Sequence, residues 1–228
     1  MIFAPILRTN PKWVHGFTSR VDSGGDVLDL GTCATDSDWM RVARDLGVEG
    51  SGTARVSQVH GSRAVWANAS GSAGEADAII SDQPGLLLAV RTADCVPILV
   101  AGEGVVAAIH AGWRGLAAGV IPETLKQMGD PLGLTAVVGP SICVDCYEVG
   151  EEVVEGIAQW VEPALFVDRS RPKPHVDGGA AAVAQIRSCG LLHVERLAVC
   201  TWCDDRFWSH RQEGKAAGRQ AALVGLRC

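Results

Sequence analysis

The chain has 228 residues, 47% of them apolar. That is an ordinary globular composition, able to bury a sizeable core and expected to form one domain over residues 1–228. A net charge of −6 with no block of Lys or Arg argues against electrostatic binding to nucleic acid or anionic lipid, and no apolar run is long enough to span a bilayer.

Residues 1–10 lack a basic segment followed by a long apolar one, so no secretory leader is expected and the cytoplasm is the expected compartment. The eight cysteines then read as reduced thiols rather than as disulfides. Residues 13–18 form a strand candidate, followed by a glycine-rich turn over residues 21–25. Trp39, Val42 and Leu46 share one face of a predicted helix over residues 36–46, with Asp36 or Ser37 as its N-cap. Residues 55–60 and 63–68 are predicted strands, with His60 at the end of the first beside a turn, and residues 69–75 read as a polar loop. Three apolar runs, residues 86–91, 96–100 and 105–110, predict strands buried on both faces. Gly102-Glu-Gly104 signals a hairpin between the last two. A helix over residues 116–128 meets Pro122, which should kink it, break it or start a second segment. Residues 134–138 and 194–201 read as strands, residues 150–160 and 180–189 as helices, and residues 216–226 as a final amphipathic helix. Helices and strands mix without strict alternation, which predicts an α/β or α+β fold with layers of helix against a mixed sheet.

His60, Cys95 and His110 all fall at strand ends beside tight turns, where a scaffold can aim side chains into one cleft. Two imidazoles and a thiolate suit Zn²⁺ with a fourth position left open. On spacing alone the same residues also allow a metal-free thiolate–imidazolium pair, or plain core residues. Asp94, next to Cys95, would point the opposite way on a regular strand. Cys143/Cys146 and Cys200/Cys203 are two Cys-x-x-Cys pairs, but more than 50 residues separate them, so they read as incidental thiols rather than a zinc site. They also miss the Pro-Cys-x-x-Cys signature of zinc nucleobase deaminases, because Ile142 precedes Cys143. Arg20, Arg114, Arg211 and Arg219 stand alone beside glycines or aromatics and could each serve a phosphate.

Taken together, Gln58-Val-His-Gly61, Ala76-Asp-Ala78, Thr92-Ala-Asp-Cys-Val-Pro97, His110-Ala-Gly-Trp-Arg-Gly115, Gly139-Pro-Ser-Ile142, Cys146-Tyr-Glu-Val-Gly150 and Phe207-Trp-Ser-His-Arg211 resemble the YfiH family. This family is also labelled the laccase-domain or multicopper polyphenol oxidoreductase family, and more recently purine nucleoside phosphorylase. The resemblance implies a sandwich fold shared with a family of cysteine hydrolases. It implies zinc held by His60, Cys95 and His110, and phosphorolysis of adenosine, guanosine, inosine and methylthioadenosine, with deamination of adenosine at the same centre. The partners implied are therefore a purine nucleoside and phosphate, with Arg20 and Arg211 as phosphate or substrate contacts. The chain departs from the family at Val27-Leu-Asp-Leu-Gly31, where Asp29 replaces a usual Asn. Two other readings use the same residues. One is an amidase or hydrolase editing peptidoglycan precursors, and the other a copper-dependent polyphenol oxidase with Cu²⁺ replacing zinc. Six scattered histidines offer no trinuclear copper set.

Overall fold

The structure, a computed structural model, describes residues 1–228. Two sheets lie face to face and helices cover their outer sides. The first sheet has the order β1 (Trp13–Phe17), β13 (Gln220–Leu226), β6 (Leu86–Thr92), β2 (Gly52–Ser57), β4 (Gly71–Glu75). The second has the order β12 (His193–Arg196), β9 (Thr135–Val138), β7 (Val96–Gly102), β8 (Val105–Ala111), β5 (Ala78–Ser81), β3 (Ala64–Trp66). A small hairpin, β10 (Val167–Asp168) with β11 (His175–Val176), lies apart from both. Both large sheets are mixed: β2 runs parallel to β6 and β4, whereas β13 runs antiparallel to β1 and β6.

Strand pleat assigns the core. Leu88, Val90, Ala222 and Val224 face the second sheet and meet Leu99, Ala101, Val106, Ala108 and Val137. Their neighbours Leu87, Ala89, Ala221 and Leu223 face outward, onto Trp39, Val42 and Ala43 of α1 (Asp36–Asp45) and its C-cap Leu46. The outer face of the second sheet takes α2 (Trp113–Ala118), α3 (Val120–Met128), α4 (Glu151–Ala158) and α5 (Gly178–Ser188). Each long strand is thus covered on both sides, which is why its sequence is a continuous apolar run rather than an alternation. A short α6 (His210–Glu213) sits between the chemistry-bearing loops and β13. No helix is long and apolar enough to cross a membrane.

Several expectations need correction. The run predicted as a final helix contains β13 instead, with all seven strand residues buried. Its alanines and leucines suit a helix, but burial on both faces removes the period-two signal that marks a strand. The predicted loop over residues 69–75 contains β4, an exposed edge strand whose small polar residues carry no strand signature. The strand before His60 ends at Ser57, so His60 belongs to the following turn. The strand predicted over residues 194–201 keeps its ladder only over His193–Arg196, and Cys200 adds an isolated bridge to Ser141. Thr35, not Asp36 or Ser37, caps α1, in a reciprocal capping box with Asp38. The helix expected to break at Pro122 divides instead at Gly119, and Pro122 sits harmlessly in the first turn of α3.

Candidate active site

The ends of β2 and β8 and the turn into β7 converge at one end of the sandwich. His110, near the end of β8, is buried, and its Nδ1 lies 2.8 Å from Asp77 Oδ1. Asp77 immediately precedes β5 and has no exposed surface. Its carboxylate also accepts the backbone N–H groups of Val59 at 3.2 Å, His60 at 3.0 Å and Gly61 at 2.6 Å. One carboxylate therefore fixes the ring of His110 and the backbone turn that presents His60. That turn needs an anchor, because His60 has φ +60°, a conformation that costs a non-glycine residue on the order of 1–3 kcal/mol.

Cys95 completes the group. Its sulfur lies 4.0 Å from His60 Nε2, and the ligand-capable atoms of His60, Cys95 and His110 all lie within 4.8 Å of one another. Zn–S and Zn–N bonds of about 2.3 and 2.1 Å put tetrahedral neighbours roughly 3.6 Å apart, so three such atoms can share one ion after small side-chain adjustments. The tautomer fits as well: with the Nδ1 proton donated to Asp77, the Nε2 lone pair of His110 is left for a metal. Gly112 makes room for the cluster, since a Cβ there would stand 3.0 Å from His60 Cδ2 and 3.1 Å from Cys95 Sγ. Burial alone would raise the Cys95 thiol, but the neighbouring His110 and His60 rings override it and bring it down to about 6. The same contact works on His110: burial would lower it, yet the Cys95 sulfur and the Asp77 carboxylate hold it up at about 9.

Asp94 does not point at this cluster. The chain bends there, with φ +85°, and its carboxylate accepts Thr201 Oγ1 at 2.7 Å and the Arg211 backbone N–H at 2.6 Å. It thereby ties the loop after β12 and the start of α6 to the turn that carries Cys95.

Two cavities meet at the cluster and share His60, Ala93, Cys95 and His210. One is largely apolar, with Trp113, Leu116, Ile142 and Tyr147 in its wall and Arg114 and Arg211 at its polar side. The other is polar and carries Arg91, Lys215 and Arg219 together with Gln58 and Asp29. Arg211 lines the first cavity, stacked over Tyr147 and donating to the Glu148 carbonyl oxygen at 2.9 Å. Arg20 lines neither. Its guanidinium stacks over Trp208 at 4.0 Å and pairs with Glu213 at 3.2 Å.

The structure thus brings His60, Cys95, His110 and Arg211 together and leaves Arg20 aside. Sequence reasoning missed Asp77, Tyr147, Arg91 and Lys215. Asp77 and Tyr147 fall inside the motifs Ala76-Asp-Ala78 and Cys146-Tyr-Glu-Val-Gly150, but nothing in the linear sequence marks the role of either. The four cysteines expected to be incidental also converge, with the sulfurs of Cys143, Cys146, Cys200 and Cys203 within 4.8 Å of one another.

Comparison with known proteins identifies relatives over most of the chain. The family model described as multi-copper polyphenol oxidoreductase laccase matches residues 20–227. A purine nucleoside phosphorylase of Deinococcus radiodurans is 35% identical, over 97% of this chain and 93% of its own. A protein named adenosine deaminase RL5, from an unknown prokaryotic organism, is 35% identical over 63% of this chain and 59% of its own. The crystal structure of YlmD from Geobacillus stearothermophilus superposes with a TM-score of 0.88 at 26% identity, covering 99% of this chain and 94% of that one. On the extent of these matches, the chain belongs to the multi-copper polyphenol oxidoreductase laccase family, the laccase-like YfiH proteins.

Proposed function

We propose that the protein is a zinc-dependent enzyme of purine nucleosides. In this reading it cleaves adenosine, guanosine, inosine and methylthioadenosine by phosphorolysis and deaminates adenosine at the same centre. The observation that carries this reading is the position of His60, Cys95 and His110 where an apolar, aromatic-walled cavity meets a cationic one. Relatives named purine nucleoside phosphorylase and adenosine deaminase supply the substrate class.

Zinc held by these three side chains would supply a Lewis acid that polarises a substrate atom or activates water. The rest of the chemistry belongs to the chain. Trp113, Tyr147, Leu116 and Ile142 offer ring faces and aliphatic surface on which a purine can be buried. Arg91, Lys215 and Arg219 offer positive charge for phosphate in the adjoining cavity. In phosphorolysis a phosphate oxygen bonds to the anomeric carbon while the carbon–nitrogen bond to the base breaks. The departing base keeps the electron pair and takes up a proton. Holding the anion and the base in separate adjoining cavities places attacking and leaving groups on different sides of the ribose. Asp77 keeps its proton-bearing partner, His110 Nδ1, in one tautomer throughout.

Copper is the weaker cofactor reading. The same three ligands would bind Cu²⁺ tightly, but a trinuclear copper site needs many imidazoles, and the other ligand cluster is made of four cysteines.

The test is to incubate zinc-loaded protein with adenosine and phosphate. Adenine with ribose 1-phosphate reports phosphorolysis, and inosine reports deamination. Cys95→Ala should abolish both while leaving the circular dichroism spectrum unchanged. A fully active Cys95→Ala, or no turnover of any purine nucleoside by the loaded protein, overturns the proposal. A second reading rests on the order Cys95, His110, Asp77, which places nucleophile, base and orienting carboxylate in one row, as an amidase or hydrolase would need. It predicts activity on peptidoglycan precursors that survives chelation.

A further inference from the structure

We infer that the protein holds a second zinc ion, a structural one, in a tetrathiolate site formed by Cys143, Cys146, Cys200 and Cys203.

The two Cys-x-x-Cys pairs lie on different loops. Cys143 and Cys146 bracket a tight turn after β9, closed by the Cys146 N–H donating to the Cys143 carbonyl at 3.1 Å. Cys200 and Cys203 lie in a second turn after β12, closed one residue further on by the Asp204 N–H donating to the Cys200 carbonyl at 3.1 Å. β9 and β12 are parallel neighbours in the second sheet, so their following loops leave the same end side by side. Backbone bonds stitch them together: Ser141 N–H donates to the Val199 carbonyl at 3.2 Å, and Thr201 N–H to the Ser141 carbonyl at 3.1 Å. That pairing brings cysteines 57 positions apart to one point, with Cys146 and Cys203 sulfurs 3.4 Å apart. The topology, not the linear spacing, builds the site.

All four sulfurs lie within 4.8 Å of one another. Four sulfurs around a zinc at about 2.3 Å stand about 3.8 Å from each other, so binding needs only small adjustments of the side chains, the Cys146–Cys203 pair opening slightly and wider pairs closing. Two disulfides would need only pairwise approach, whereas convergence of four is what a tetrahedral ion requires. The Cys143 N–H donates to the Cys200 sulfur at 3.3 Å, the kind of backbone contact that steadies a thiolate ligand. An all-sulfur tetrahedral set selects zinc or iron. Cys203 is exposed and the other three are half-buried, and zinc, having no redox chemistry, suits a ligand set so open to solvent. On binding, each thiol releases its proton to solvent and the four sulfurs become ligands.

This ion would clamp one wall of the active site. Ile142 and Tyr147, which flank the first pair, line the apolar cavity. Thr201, next to Cys200, donates to the Asp94 carboxylate beside Cys95. The clip therefore fixes both loops against the turn that carries Cys95, without itself touching the cavity.

Metal analysis of protein purified without added metal should give two zinc ions per chain. The Cys146→Ser/Cys203→Ser variant should give one, and so should Cys95→Ala, because the two sites are separate. Unfolded wild-type protein, treated with chelator but no reductant, should titrate eight free thiols. If the double variant fails to fold, metal-depleted wild type titrated with Co²⁺ keeps the question open to refutation. Its second equivalent should bring an intense sulfur-to-cobalt charge-transfer band that persists in Cys95→Ala. One zinc per chain that vanishes in Cys95→Ala, iron in place of the second zinc, or six or fewer free thiols would each overturn the assignment. None of these outcomes depends on whether a nucleoside is turned over.

Discussion

Asp77 carries more of the site than any residue that the sequence singles out. It is fully buried, and burial alone would raise its carboxyl group. The His110 ring and the backbone N–H groups of Gly61 and His60 more than offset this and hold it below the usual carboxylate range. Replacing it by the isosteric amide keeps the shape and removes the charge that fixes His110. If the cluster holds zinc as proposed, Asp77→Asn should weaken that binding by about 10–100-fold, the usual cost of losing a partner behind a metal-bound histidine. Competition against a chelator of known affinity measures this, and an unchanged zinc affinity would remove Asp77 from the metal centre. His60, Cys95 and His110 were legible through the family resemblance, since their strand-end positions alone left a metal-free pair and plain core residues open. Asp77 was not, because its role exists only once the pairing of β5 with β8 sets it beside His110 and the turn at His60 folds over it. Arg20 shows the opposite failure. A lone arginine beside a turn carries no sign that a tryptophan face and a glutamate will claim it.

Among the elements, the buried apolar runs with a turn at each end, β6, β7 and β8, were read nearly to their bounds, and β1, β3 and β9 were also found as strands. β13 is equally apolar, but its Gln-Ala-Ala-Leu-Val-Gly-Leu sequence satisfies helix and strand alike, and only its place between β1 and β6 decides. The junction of α2 and α3 was half legible, since Pro122 warned of a break while Gly119 makes it. Gly119 ends α2 with φ +79°, and a Cβ there would stand 2.6 Å from Trp160 Cζ2. Trp160 cannot easily yield, because its indole N–H donates to the Ala117 carbonyl at 2.8 Å. Gly119→Ala should therefore destabilise the protein by about 1–3 kcal/mol, through left-handed strain and the displaced indole together. At about 2–4 °C per kcal/mol for a chain of this size, the melting temperature should fall by several degrees. An unchanged melting temperature would mean that the helix junction adapts freely.

For the molecule as a whole, the layered α/β class followed from composition and buried runs. The stacking of one sheet on the other did not, because sheet membership depends on strand partners far apart in the chain. One consequence of that stacking is a buried histidine with no metal to hold. His15 lies on β1, 3% exposed, and its Nε2 accepts the Ala4 N–H at 2.9 Å, which ties the first residues to the first sheet. Burial is the main reason that its pKa falls from 6.5 to about 4, and the nearby Arg8 charge adds to it. The unfolded chain therefore takes up a proton between about pH 6.5 and 4 that the folded chain refuses. Stability from this residue is fully present above pH 6.5 and is lost as the pH falls towards 4, by on the order of 2–3 kcal/mol. Asp22 and Asp77, held below the usual carboxylate range by their partners, make their losses at lower pH, below about 4. Raised groups such as His110 already give their full contribution below 6.5. Urea midpoints measured at pH 7.5 and pH 5 should thus drop more for the wild type than for His15→Gln, whose amide can still accept the Ala4 N–H. Equal drops in the two proteins would show that His15 can be protonated without unfolding the segment it anchors.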